Sequence, residues 1–226
     1  MYAISKKFNL VLAVALALGL LFAAAPQQVR AQGGNTLYVA EWEDPVTLAN
    51  VTGRETVLFD GTNYHMWYSS SDETKLYHTS SIDPASFTEG TQVTFTGGAP
   101  VEVGSVSVVY ESNTFYMIAY GATNKVFAIY TSPDGTAWTY GSVVFDGTGI
   151  TNLQKIDGPY LIKIGDTYRL YFQLGTGADY ASRTYDIYVA ESTSITGQYT
   201  LRTDPVLTNG AAGAWDGGDV MQPWVV

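Results

Sequence analysis

Hydrophobic and polar positions alternate in short bursts along most of the chain, and the bursts recur. Three segments superimpose without gaps: "TVLFDGTNYHMWYS" from Thr56, "SVVYESNTFYMIAY" from Ser107 and "YLIKIGDTYRLYFQ" from Tyr160. Each sets four strand-like residues before a polar turn and an aromatic strand after it, the pattern of a β-hairpin. A second set interleaves with the first: "LYVAEWEDPVTL" from Leu37, "LYHTSSIDPASF" from Leu76, "FAIYTSPDGTAW" from Phe127 and "IYVAESTSITGQY" from Ile187. A further strand follows each of these turns, as in "QVTFTG" and "DPVLTN". One repeat is therefore two hairpins, and inner strands are expected to begin near Thr56, Ser107 and Tyr160. Repeats start near Gly53, Gly104, Asp157 and Met221, 51 to 64 residues apart. That period, with four antiparallel strands in each repeat, predicts an all-β chain built as blades of a β-propeller.

The N-terminus follows another pattern. Lys6 and Lys7 precede an apolar run from Leu10 to Ala25, and Val29-Arg30-Ala31 supplies small or apolar residues at the positions a signal peptidase reads. The run is short for a membrane span, which needs about 20 apolar residues. Residues 1–31 are expected to be a secretory signal peptide cleaved after Ala31, leaving an extracellular or periplasmic protein from Gln32. The piece from Leu37 to Val51 resembles the last two strands of a blade, and "PWVV" at residues 223–226 matches "PYLI" and starts another copy. Residues 32–226 thus read as a C-terminally incomplete propeller of about three and a half blades.

Charge narrows the partners. The chain carries 21 acidic and 11 basic residues, and three of the basic ones lie in the leader, so the exported form stands near −13. Such a surface repels nucleic acid and anionic membranes, which favours a neutral ligand. No cysteine is present, so an exported fold here depends on its core and not on disulfides. The composition (17 Tyr, 5 Trp and 23 Gly among few charges) favours strands and turns over helices.

Hairpins of the form "DGTNYHMWYS", followed by turns such as "YTSPDGTAW", resemble the five-bladed propeller glycoside hydrolases of family 43 and the related families 32, 117 and 130. The resemblance spans residues 36–226 and implies a five-bladed ring acting on glycans. In family 43 an "E-G-P" tripeptide opens one inner strand and its Glu is the general acid; Asp157-Gly158-Pro159 has that form with a shorter acid. The position matching the family's base reads Gly53-Arg54-Glu55-Thr56, which leaves Glu55 as the carboxylate. The position of the family's tuning Asp falls near Gly104-Ser105-Val106, where the nearest acid is Glu102.

Residues just before each innermost strand ring the mouth of a propeller's channel, and a glycosidase needs two carboxyls across the scissile bond. Asp157 and Glu55, two blades apart, are the catalytic candidates, and an Asp157→Asn change is expected to spare the fold. Arg54, Tyr160, Trp215, Asp216, Asp219 and Trp224 are the candidate sugar contacts, with Arg54 alternatively a salt-bridge partner of Glu55. The repeat supplies a control: Gly53, Gly104 and Met221 align with Asp157, so no other blade needs a carboxylate there to fold. Asp44 and Asp134 recur at turns in other copies and are expected to be turn residues. His65 and His78 read as isolated strand histidines. The sequence carries no zinc cluster, no calcium-loop run and no phosphate or dinucleotide fingerprint, so no metal ligand or cofactor is assigned, although the acidity leaves calcium binding open. Two function classes follow: a secreted glycoside hydrolase acting on neutral glycans, or a non-catalytic propeller that binds glycan or protein.

Overall fold

The structure, a computed structural model, describes residues 28–30, 36–38, 54–211, 213–214 and 217–225. The chain divides into two compact units, Met1–Thr47 and Leu48–Val226. In the first, β1 (Gln28–Arg30) pairs antiparallel with β2 (Thr36–Tyr38). The apolar run from Leu10 to Ala25, expected to belong to a signal peptide, lies outside the described residues.

The second unit is built of three consecutive blades, and every helix or strand among its described residues is a strand. Blade one comprises β3 (Glu55–Phe59), β4 (Tyr64–Ser69), β5 (Leu76–Ser81) and β6 (Thr91–Gln92) in sequence order. Between it and the next blade lies β7 (Thr94–Thr96). Blade two comprises β8 (Ser107–Glu111), β9 (Thr114–Tyr120), β10 (Val126–Ser132) and β11 (Ala137–Asp146). Blade three comprises β12 (Leu153–Ile164), β13 (Thr167–Thr176), β14 (Thr184–Ser192) and β15 (Thr200–Leu201). Neighbouring strands within each blade are antiparallel, as the hairpin pattern requires.

The aromatic strands form the layers between blades. Trp67, Met117 and Trp138 are fully buried in the core shared by blades one and two. Phe127, Phe145 and Phe172 fill the core shared by blades two and three, with Phe172 edge-on to Phe127 at 5.5 Å. A serine ties the inner strands together: the Leu161 N–H of β12 donates to Ser107 Oγ of β8 at 2.9 Å.

Three details depart from the repeat pattern. The segment "QVTFTG" is not one outer strand. Its first residues pair with β5, then buried Val93 turns the chain, and Thr94–Thr96 adds in parallel to β11 of blade two. "DPVLTN" gives only a bridge from Leu207 to Ile187, because Thr200–Leu201 already occupies the edge of β14. Inner strand β12 begins at Leu153, not at Tyr160. Asp157 pairs with Gln173 and Tyr160 with Tyr171, so Gly158 and Pro159 oppose a single residue and form a bulge. Gly158 holds φ +57, a conformation that favours glycine, and Pro159 has no N–H to pair. Residues 221–225, where a further inner strand is expected, carry no strand.

Candidate functional site

The starts of β3 and β8 converge with the bulge inside β12. Residues 54–56, 105–107 and 158–160, with residues 222–224, line one cavity of about 110 Å³. Arg54 and Glu55 form one wall, both exposed. Tyr160 and Trp224 form another, their rings 5.2 Å apart and tilted by 44°. Gln222 is fixed behind them, its N–H donating to Gln173 Oε1 at 2.9 Å. Burial raises the Tyr160 phenol above its ordinary value. Of the proposed contacts, the structure thus brings Arg54, Glu55, Tyr160 and Trp224 together.

Asp157 stands elsewhere. Its side chain is 5% exposed and does not line the cavity, because the Gly158–Pro159 bulge turns the following residues outward and leaves the carboxyl behind them. Oδ2 lies 3.4 Å from Lys155 Nζ and 3.5 Å from Arg54 Nη1, and Oδ1 accepts the Gly158 N–H at 2.8 Å. Burial pushes its pKa up, but Lys155, the Tyr120 hydroxyl, the Gly158 N–H and Arg54 outweigh it and bring the carboxyl below the ordinary carboxylate value. A resting proton donor needs the opposite shift. The Tyr120 hydroxyl itself donates to the Ile156 carbonyl at 2.8 Å, and burial together with the Asp157 charge raises its pKa. Asp157 is an ionised anchor in this structure, where the sequence suggested a carboxyl facing the channel.

Asp219 lies away from the cavity. Its Oδ1 accepts the Tyr185 N–H at 2.9 Å and fastens the loop before residue 221 to β14. Trp215 and Asp216 lie outside the described residues.

Sequence reasoning missed the partners of Asp157. Lys155 is buried, donates to Glu102 Oε1 at 2.9 Å and sits 5.3 Å from the centre of the Tyr120 ring. Burial opposes its charge, but Glu102 and Asp157 hold its pKa above the usual lysine value. Arg54 Nη1 donates to Ser105 Oγ at 2.7 Å, and its Nε lies 4.0 Å from Glu73 Oε1. Glu73 comes from the β4–β5 loop, whose polar run "SSSDETK" reads as a solvated turn and gives no hint of an inward acid. Lys155, two residues before Asp157 on a strand, was the one visible signal, since i and i+2 share a face.

The histidines are also corrected. His65 and His78 are partners, with His65 Nδ1 2.9 Å from His78 Nε2. They sit diagonally on one face of β4 and β5, since Trp67 pairs with His78 and His65 with Ser80. The chain of contacts continues to Asp60 Oδ2 at 3.0 Å and to Thr136 Oγ1 at 3.1 Å. Asp134 is a turn residue as expected, its Oδ1 accepting the Thr136 and Ala137 N–H groups. No group of three or more His, Cys, Asp or Glu side chains suited to a metal occurs among the described residues.

Comparison with known proteins places this arrangement. No protein-family profile matches the chain, and no curated protein sequence does. Solved structures match at the level of fold. Zg3597, a family 117 glycoside hydrolase produced by the marine bacterium Zobellia galactanivorans, is 13% identical, with a TM-score of 0.53 over 73% of this chain. A mutant of the GH43 protein BlXynB from Bacillus licheniformis is 18% identical, with a TM-score of 0.52 over 71% of this chain. The α-L-arabinanase of Cellvibrio cellulosa is 17% identical, with a TM-score of 0.50 over 70%. The chain has the fold of the glycoside hydrolase propellers. It spans 61%, 31% and 60% of those three proteins, respectively. At these identities the likeness concerns the fold, and the site must be argued from its own residues.

Proposed function

We propose that this chain is the site-bearing part of a secreted, five-bladed glycoside hydrolase-like propeller that takes a neutral glycan or oligosaccharide. The observation that carries this reading is the cavity between the starts of β3 and β8 and the bulge of β12, where an aromatic pair, Tyr160 and Trp224, faces an exposed carboxylate and a guanidinium, Glu55 and Arg54. Sugar rings offer apolar C–H faces to aromatic planes and hydroxyls to charged groups, and small-ligand sites combine these two kinds of contact. The net charge of −10 disfavours an anionic ligand.

Hydrolysis of an O-glycosyl bond gives Glu55, the one carboxylate among the described cavity residues, the role of base or nucleophile, and requires a protonated second carboxyl that these residues do not supply. Asp157 serves the site from behind by holding Arg54. A second reading, binding without catalysis, is favoured by one observation: the carboxyl in the "E-G-P" position is buried, ionised and turned from the cavity.

The test is calorimetric titration of the secreted chain with neutral arabino-oligosaccharides and xyloglucan fragments, followed by measurement of released reducing ends. Binding that is lost in Trp224→Ala supports the site. Turnover that is lost in Glu55→Gln with binding retained supports hydrolysis, and binding with no turnover supports the second reading. Absence of binding to any neutral glycan overturns both.

A further inference from the structure

Blade three extends further past the cavity than its neighbours do. Inner strands β3 and β8 begin at Glu55 and Ser107, within the cavity lining, whereas β12 begins at Leu153 and meets the lining only at Gly158. At about 3.3 Å per residue, that extension measures roughly 16 Å. Strands β13 and β14 share it, with ten and nine residues against six in each of β4 and β5 and seven in each of β9 and β10. Leu153 pairs with Thr176 and Thr176 with Thr184, so the β13–β14 loop, residues 177–183, stands at the tip.

That loop is held in one shape. The Gly177 N–H donates to the Asn152 carbonyl at 3.1 Å, and the Gly177 carbonyl accepts from Gln154 Nε2 at 3.0 Å. Asp179 Oδ1 accepts the Ser182 N–H and hydroxyl, each at 2.8 Å, and closes the turn. Arg183 braces it: Nη1 donates to the Tyr180 carbonyl, and Nε donates to the Tyr185 hydroxyl at 2.7 Å. Its guanidinium carbon lies 3.7 Å from the centre of the Tyr180 ring. Tyr180 is nevertheless 50% exposed, with Arg183 against one face of the ring. The repeat again supplies a control. The equivalent loops read "SSDETK" at residues 70–75 and "GATNK" at 121–125, so a blade folds without an aromatic residue at this place.

We propose that Tyr180 and Arg183 form a second sugar subsite, which holds the far end of a glycan whose near end lies in the cavity, so that the protein takes extended chains in preference to short ones. The cavity of about 110 Å³ is smaller than the roughly 300–1,000 Å³ of ordinary small-ligand sites, and a longer chain must continue over the surface. The open face of the Tyr180 ring receives the C–H face of a sugar, and the Arg183 guanidinium beside it donates to a hydroxyl. The cavity offers the same combination in Trp224 and Arg54. Because Arg183 already fixes the ring, little freedom is lost when a sugar stacks on it.

This subsite rests on the glycan reading of the cavity. The experiment titrates the chain, Tyr180→Ala and Tyr180→Phe with a short and a long member of the neutral arabino-oligosaccharides and of the xyloglucan fragments. The long member should bind the wild-type chain about tenfold more tightly than the short one. Tyr180→Ala should lose that advantage while keeping the wild-type Kd for the short member and the wild-type Tm. Tyr180→Phe, which keeps the ring plane, should retain the advantage. Equal affinity for both lengths in the wild-type chain, or an advantage unchanged in Tyr180→Ala, overturns the proposal; binding that is still lost in Trp224→Ala then leaves the cavity reading standing. A lower Tm in Tyr180→Ala with weaker binding at both lengths also overturns it, because Tyr180 is then a structural residue. Absence of binding to any neutral glycan overturns the cavity reading and the second subsite with it.

Discussion

Trp67 of blade one and Trp138 of blade two donate their indole N–H groups to the same carbonyl, that of Gly135, at 2.8 and 3.0 Å. Both side chains are fully buried, so the blades are joined through one doubly used acceptor. Trp67→Phe should cost about 2 kcal/mol, chiefly lost volume, because Trp138 still satisfies the carbonyl. The same holds for Trp138→Phe. The double variant should cost more than the sum of the singles, since only then is a buried acceptor left bare. Urea unfolding of the four proteins measures the coupling, and simple additivity would argue against a shared bond.

Asp157→Asn should destabilise the chain by about 3 kcal/mol at neutral pH, because Lys155 is left as a buried cation with one partner fewer. This replaces the expectation from sequence that the change spares the fold. The Asp157 carboxyl titrates below its ordinary value, so its contribution is complete above the ordinary carboxylate range and is lost as pH falls through it. The gap between wild type and variant should narrow on acidification. Denaturation midpoints at pH 7, 5 and 3 check the trend.

Gly104→Ala should leave the fold intact at a cost of about 1 kcal/mol, since the new methyl meets only the end of the flexible Glu73 side chain. Thermal unfolding of Gly104→Ala beside the wild type measures that cost.

His78 supplies an acid-labile contact. Burial and the neighbouring His65 depress its pKa to about 4 against the ordinary 6.5, with Asp134 opposing. Its stabilising contribution is therefore complete above pH 6.5 and is lost as pH falls toward 4. About 2 kcal/mol should disappear over that interval, and His78→Gln should flatten the profile. Denaturant titrations at half-unit pH steps give the slope.

Secretion is a proposal with its own test. Mass spectrometry of the exported protein should give Gln32 at the N-terminus, following cleavage after Ala31. An intact residue 1 in the secreted fraction would contradict it.

Strand succession was legible in the sequence because each hairpin carries its own turn chemistry. Asp60 accepting the Thr62 and Asn63 N–H groups is a local event that a local pattern reports. The convergence of Arg54, Glu55 and Tyr160 was legible as well, because a propeller's repeat fixes which ends of strands meet. The cluster of charges behind the cavity was not. Its members lie on four segments, from Arg54 to Asp157, and Glu73 enters only because Gly104 lacks a side chain. Nor was the buried state of Asp157, which depends on a bulge spanning Gly158 and Pro159 that the sequence shows only as a break in the alternation.

The crossing of Thr94–Thr96 from the edge of one blade to the edge of the next has a mechanical consequence. Blade one cannot peel away without stripping β7 from β11, and β11 cannot fray without releasing the same strand. Amides of Phe95 and Trp138, which face each other in that pairing, should exchange with solvent together and in step with those of β4. Blades one and two then open as a single cooperative block. Blade three is joined to blade two by the core of Phe127, Phe145 and Phe172 and by bonds such as Leu161 to Ser107, and its amides should exchange separately from that block if the shared strand sets the cooperative unit.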